Sequence, residues 1–418
     1  MRRLLWAGVL VCVFARAETG RWAEPSGFFE NERITRATLA PGLAWVEAAG
    51  VRDGVPVETQ VLDVELRPGA GLRLETLAGS RQGRAGSRQY FLCDVPSRML
   101  RDPGALAALN ASFFDIKSTQ TPFGLVVRDG WLLREPAERY LPALLALADG
   151  RAVIGSPGWS GRVRVRDEKG VAREMPLAGV NRPSLQEREA VLFCPPWKRA
   201  PDAAAPFLGG RETLEIIARR KAVEPAPAGD GGGVSATVEV VEVRVGPGRA
   251  SRALADDEMA LVAGARAAAF FQGAGAGAVL EIEWRLTGLP EGVRTRDVRH
   301  ALAGSTLLIA AGKLQEGGGG FWTARHPRSA AGVSADGRRA LLVLVDGRTA
   351  SSAGMSLGTL RDYMAHLGAN DALNFDGGGS SAMVALPGGG AGGGARVLNR
   401  PSDGRERPVP TALGVRGP

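Results

Sequence analysis

The chain has 418 residues, of which 44% are hydrophobic, enough for one large domain or two ordinary ones around a sizeable core. Its formal net charge of +8 is spread along the sequence without a lysine-rich tail. That distribution argues against nucleic acid as a partner and is compatible with an anionic small group or polymer. Three cysteines are too few for a disulfide framework, and their spacing excludes a cysteine zinc site.

The first segment, MRRLLWAGVLVCVFARA, places Arg2 and Arg3 before an apolar run from Leu4 to Phe14 and a small-x-small site at Ala15-Arg16-Ala17. This predicts a signal peptide over residues 1–17, with Glu18 starting the mature chain. The apolar run is too short to span a bilayer, and no later run reaches spanning length. The expectation is export to the periplasm or beyond, without stable membrane insertion once the signal is cleaved. Cleavage would remove Arg2, Arg3 and Arg16, taking the net charge from +8 to +5. Cys93 and Cys194 would then remain, either paired or as two buried thiols.

Residues 18–100 read as a β-rich region, with alternation from Val57 to Leu66 and a second strand, LRLETLAG, after a Pro-Gly turn. Residues 101–418 read as the functional domain. GALAALNASFFD is a short helix or strand, and TPFGLVVRDGWLL is a hairpin turning at Asp129-Gly130. LPALLALADGRAVIG and VRVRDEKGVARE repeat the hairpin scheme. Residues 223–233 read as a loop rather than a boundary, because alternating strand resumes at once.

The segment 340–384 carries most information. ALLVLVDGR is a near-continuous apolar run, and SLGTLRDYMAHLG places Leu357, Leu360, Met364 and Leu367 on one helical face. Ser356 suits an N-cap and Gly368 a C-terminal glycine. ALNF then ends in Asp376. Strand, helix and strand predict a right-handed βαβ unit near the C-terminus, and hence an α/β or α+β fold with a mixed sheet and a β-rich N-terminal part. In that arrangement Asp346 and Asp376 leave the same sheet edge, where ligand crevices form.

After Asp376 come Gly377, Gly378, Gly379, Ser380 and Ser381. Successive glycine N–H groups can turn inward as an anion nest, with the serine hydroxyls beside them. No GK[ST] follows, so this is not a nucleotide P-loop, and no glycine follows the serines as a nucleophile elbow requires. Of three histidines, His326 lies between Arg325 and Arg328, which suits a phosphate pocket. His300 has no visible partner spacing, and His366 falls on the polar side of the predicted helix.

RHPRSAAGVSADGRRALLVLVDGR, GMSLGTLRDYMAHLGANDALNFDGGGSSAMV and VLNRPSDGRERPVPTALGV together resemble the phosphodiester glycosidase family. Upstream, ALNASFFD, TPFGLVVRDG and AGVNRP resemble the family's earlier blocks, with weaker echoes from residue 40. The resemblance covers about residues 100 to 416; the first block departs from it at Ala111 and Ser112, where a glycine is usual. Bacterial relatives in that family are often labelled exopolysaccharide-biosynthesis proteins. The resemblance implies hydrolysis of a sugar-1-phosphodiester, of the N-acetylglucosamine type, at the glycosidic C–O bond. A phosphomonoester leaves readily, so cationic or N–H stabilisation of the leaving phosphate matters more than a strong general acid.

Arg328, Arg348, Arg405 and Arg407 are candidates for that task, with the glycine nest. Asp376 is the first choice for the catalytic carboxylate, with Asp346 and Asp115 as alternatives. Asn110 and Asn399 are candidates to hydrogen-bond sugar hydroxyls. Asp115, Asp346 and Asp376 could jointly hold Ca²⁺, which the sequence leaves open. The rival readings are a non-catalytic binder of phosphorylated or anionic glycans in exopolysaccharide assembly, and a metal-dependent phosphodiesterase cutting P–O. The sparse His/Asp spacing disfavours the second rival.

Overall fold

A computed structural model describes residues 26–80, 90–101, 104–137, 141–166, 172–197, 199–200, 208, 212–225, 232–246, 252–386 and 394–418. The expected signal peptide lies outside the described residues.

The described chain is mostly strand. β1 (Glu30–Ala40), β2 (Leu43–Arg52) and β3 (Val55–Glu65) form a meander. They are followed by β4 (Arg73–Ala78) and β5 (Ala105–Asn110). The C-terminal third supplies β6 (Thr306–Ala310), β7 (Lys313–Leu314), β8 (Arg328–Val333), β9 (Arg339–Val345), helix α1 (Leu357–His366) and β10 (Asp371–Asn374). β11 (Met383–Ala385), β12 (Arg396–Val397) and β13 (Thr411–Arg416) complete it.

One eight-stranded sheet runs β1-β2-β3-β9-β8-β10-β6-β7, and a five-stranded sheet runs β12-β11-β5-β13-β4. Every pairing in both is antiparallel. Described strands lying between residues 126 and 155, with 298–303, build a further five-stranded sheet, and described strands lying between 158 and 287 a second eight-stranded one. The Asp129-Gly130 turn joins its two strands with both residues at positive φ, 52° and 76°. The 143–155 and 158–176 hairpins form as well.

This corrects the α/β or α+β expectation. β9 and β10 do run the same way, but β8 lies between them, antiparallel to both. There is no βαβ unit, and α1 covers one face of an antiparallel sheet. The run in β9 misled because burial on both faces marks any central strand, parallel or not. Leu341, Val343 and Val345 pack with Leu357, Leu360, Tyr363 and Met364 of α1, while Ala340, Leu342 and Leu344 enter the larger core on the opposite face. α1 itself forms as its sequence suggests: Thr359 N–H donates to the Ser356 Oγ cap at 3.0 Å, and Gly368 follows at φ 86°.

Residue 100 does not separate two sets of sheets. β3 pairs with β9, and β4 pairs with β13. Cys93 and Cys194 are both buried free thiols, which settles the pairing left open above.

Candidate functional site

Because β9 and β10 run in the same direction, their C-terminal loops deliver Asp346 and Asp376 to one edge of the sheet. Pro327, entering β8 at that edge, is the meeting point. A Cβ on Gly347 would lie 2.8 Å from Pro327 N, and one on Gly377 would lie 2.5 Å from Pro327 O. Glycine at both places lets the loops after β9 and β10 close on the same backbone.

Asn110 joins the second sheet to this edge. Its Nδ2 donates to the Asp376 carbonyl at 2.7 Å, and its Oδ1 accepts from Ser329 Oγ at 2.7 Å and Ala382 N–H at 3.1 Å. The residue is fully buried and spends these groups on protein partners, not on a sugar. The Asp376 N–H donates to Ala111 O at 2.8 Å, a second tie to the same strand end.

Asp376 is partly exposed, and its Oδ1 accepts the Gly377 N–H at 2.9 Å. Burial raises its carboxyl to about 6, against the opposing pull of Ser380, the Gly377 N–H and the Arg407 charge. The three glycines do not form an open nest. The Gly377 N–H is spent on Asp376 and the Gly378 N–H on Pro327 O. Gly378 turns at φ 59°, and a Cβ there would stand 3.2 Å from Arg348 Nη2. At Gly379 a Cβ would overlap Arg407 and Asp403. Each glycine has its own reason.

Cations lie beside the loop in place of an open nest. Arg348 holds a left-handed φ of 61°, uncommon outside glycine, and its Nη2 lies 3.4 Å from His326 Nδ1. Arg328 is 2% exposed. Its Nε donates to Met355 O, and its Nη2 donates to Phe321 O and Ala324 O. Among the described residues neither arginine has a carboxylate partner. Burial and the neighbouring Arg348 charge push Arg328 down to about 10. Burial and both arginines also hold the His326 imidazole below its ordinary range. Two guanidinium groups and His326 thus lie together at this edge, with the Arg348 charge acting on both Arg328 and His326. Arg328 is held by three backbone carbonyls and Arg348 is exposed, a charge arrangement compatible with a ligand anion.

The remaining candidates serve elsewhere. Arg407 pairs with Asp403 at 2.7 Å and reaches Ser380 Oγ at 3.4 Å; Arg405 is exposed. Ser381 is buried, its Oγ without a hydrogen bond. Asn399 Nδ2 donates to Asp346 Oδ1 at 3.1 Å and to Ser381 O, and its Oδ1 accepts the Met383 N–H. It is a latch between the two loops. Asp346 is 2% exposed, its Oδ1 accepts the Arg400 N–H at 3.0 Å as well, and its Oδ2 has no partner. Burial raises it to about 6, and the Glu58 charge adds to that.

Asp115 organises its own loop. Its Oδ1 accepts the N–H groups of Lys117 and Ser118, and its Oδ2 accepts the Thr119 N–H and Oγ1–H. Burial works to raise its carboxyl, and these bonds outweigh it, so the group lies below its ordinary range. With its oxygens so used, Asp115 does not complete a calcium shell with Asp346 and Asp376. Among the described residues no three His, Cys, Asp or Glu side chains gather as a metal group. His300 is buried beside Asp129 in another sheet, and His366 is exposed on α1.

Reading the sequence missed Phe321, whose ring carries the Arg328 guanidinium 5.2 Å above its centroid, and Phe113, 6.3 Å from it edge to face. It also missed Glu58 beside Asp346 and Asp403 against Gly379. Only Asp403 left a local signal, an acid four residues before Arg407.

Residues 253–416 match the phosphodiester glycosidase family model. The matched segment contains Arg328, Asp346, Arg348, Asp376, Asn399 and Arg407, while Asn110 and Phe113 come from upstream of it. No curated protein matches the chain. A hypothetical protein from Synechocystis has a similar structure at TM-score 0.65 and 20% identity, over 92% of this chain and 64% of that one. The chain thus spans less than two thirds of that protein's length. A protein from Burkholderia pseudomallei described as exported is similar at TM-score 0.65 and 20% identity, over 95% of this chain and 100% of that one. These two likenesses establish a shared fold. The catalytic domain of zebrafish N-acetylglucosamine-1-phosphodiester alpha-N-acetylglucosaminidase, auto-inhibited by its pro-peptide, is more distant, at TM-score 0.45 and 14% identity over 93% of this chain and 88% of that domain. Among the described residues no helix is long and apolar enough to cross a membrane.

Proposed function

We propose that the chain is an exported hydrolase that cleaves the glycosidic C–O bond of a sugar-1-phosphodiester, releasing the free sugar and a phosphomonoester. The N-acetylglucosamine type is the first substrate to try. One observation carries the reading: Arg328 and Arg348, without carboxylate partners among the described residues, adjoin the loop of Asp376. The guanidinium groups suit the diester phosphate and the negative charge that grows on it as the C–O bond breaks. Asp376, raised to about 6 and so mostly ionised at pH 7, suits the other half. Its carboxylate faces the positive anomeric carbon and takes the proton of the attacking water, whose oxygen joins that carbon. The electron pair of the broken bond leaves on the phosphomonoester. Asp346 and Asn399 hold the two loops in register.

The test is hydrolysis of an N-acetylglucosamine-1-phosphate methyl diester in ¹⁸O-water by wild type and Asp376→Asn. Label in the sugar, from wild type alone, is the expected result. Label in the phosphate would mean P–O cleavage and overturn the mechanism. Tight binding by both proteins without turnover would leave a glycan-phosphate binder.

A further inference from the structure

Phe321, Phe123 and Ile116 are exposed by 49%, 47% and 49%, and they sit on two segments that meet. The first segment is the short helix Gly320–Thr323. Its Trp322 turns inward against Gly317 and α1, with Nε1 3.3 Å from where a Cβ on Gly358 would be, which leaves Phe321 outward. The second is the loop 113–123, shaped by the Asp115 carboxylate and closed by the Phe123 N–H donating to Phe113 O at 2.7 Å. Phe113 reaches across to Phe321.

Each segment is tied by one end to the machinery described above. Arg328 Nη2 donates to Phe321 O, and the same guanidinium lies over the Phe321 ring. Ala111 O, two residues before Phe113, accepts the Asp376 N–H. The aromatic edge therefore runs from the cation that anchors phosphate to the loop of the carboxylate. In a glycosyl phosphodiester the carbon served by Asp376 is the anomeric carbon, which bonds the phosphate oxygen and belongs to the sugar ring. A pyranose has an apolar C–H face that suits an exposed aromatic ring, while its hydroxyls remain free for polar groups.

We propose that Phe321 and Phe113 form the glycosyl subsite, and that the site selects diesters whose sugar presents an unsubstituted C–H face to this pair. The inference rests on the glycosidase reading for its ligand but not on turnover for its test. Titration calorimetry on an Asp376→Asn background compares methyl phosphate with the N-acetylglucosamine-1-phosphate methyl diester. The ratio of the two affinities reports what the sugar adds. With Phe321 intact the diester should bind more tightly than methyl phosphate. Phe321→Ala should lower that ratio by about tenfold and leave methyl phosphate unchanged. Phe321→Tyr, which keeps the ring, should restore it. An unchanged ratio in Phe321→Ala would overturn the subsite, and so would an equal loss for both ligands, since Phe321 would then act only through Arg328. Absence of wild-type turnover with the ratio behaving as stated would sink the hydrolase reading and leave the sugar subsite standing.

Discussion

Asn110 and Asp376 stand 266 residues apart, and the side-chain amide of the first donates to the carbonyl of the second at 2.7 Å. One buried group thus joins the end of β5 to the loop after β10, and with them two separate sheets. Asn110→Ala would leave the Ser329 hydroxyl and the Ala382 N–H buried without their partner. The expected cost is about 3 kcal/mol, read as a drop in the urea midpoint with unchanged slope.

The glycines at 377 and 379 differ in what stands against them. At Gly377 it is main chain, Pro327 O at 2.5 Å, which cannot yield without moving β8. At Gly379 it is the ends of the Arg407 and Asp403 side chains, which can swing away. Gly377→Ala should therefore lower the unfolding temperature clearly. Gly379→Ala should leave it nearly unchanged while disturbing the Arg407 contact to Ser380. Equal effects on melting would contradict this account.

Arg348 is exposed, so its replacement tests chemistry rather than folding. Arg348→Met should reduce kcat/KM for a sugar-1-phosphodiester by about 10²-fold at an unchanged melting temperature. Arg348→Lys should recover only part of the loss, because an ammonium lacks the planar fork that grips phosphate.

The two raised carboxyls have a defined signature. Between 3.8 and about 6 the native chain keeps protons at Asp346 and Asp376 that the unfolded chain has released. Their contribution to stability is present at the acid end of that window and lost as pH rises through it. Each is worth on the order of 3 kcal/mol. His300, lowered from 6.5 to about 4, acts in the opposite sense, costing stability as pH falls. Asp346→Asn should accordingly flatten the fall in stability between pH 4 and 6, followed by urea unfolding at each pH. In the rate, ionisation of Asp376 should appear as a rise in kcat/KM with a midpoint near pH 6.

What could be read from the chain alone was what neighbours decide. The Ser356 cap, the apolar face of α1 and the Asp129-Gly130 turn are settled within a few residues, and they form as expected. The common edge of Asp346 and Asp376 also emerged, although from a parallel pair that does not exist. Which strand lies between β9 and β10 depends on pairings of β8 with both, and no local period records that. The roles of Asn110 and Asn399 were hidden for the same reason: a buried amide looks like a sugar binder until its distant partners are known. Among four candidate arginines, the motif did not say which carry their own acid. Arg407 does, in Asp403, and among the described residues Arg328 and Arg348 do not.

The pairing of β3 with β9 and of β4 with β13 has a temporal side. Strands completed within the first eighty residues wait for partners that begin at residues 339 and 411. Neither sheet can close while the chain is still being synthesised through its middle. Such long-range pairing makes for slow folding, and the early meander exposes a bare edge until β9 arrives. A holdase that shields β3 should therefore raise the yield of native protein more than one that acts on any segment from the C-terminal third.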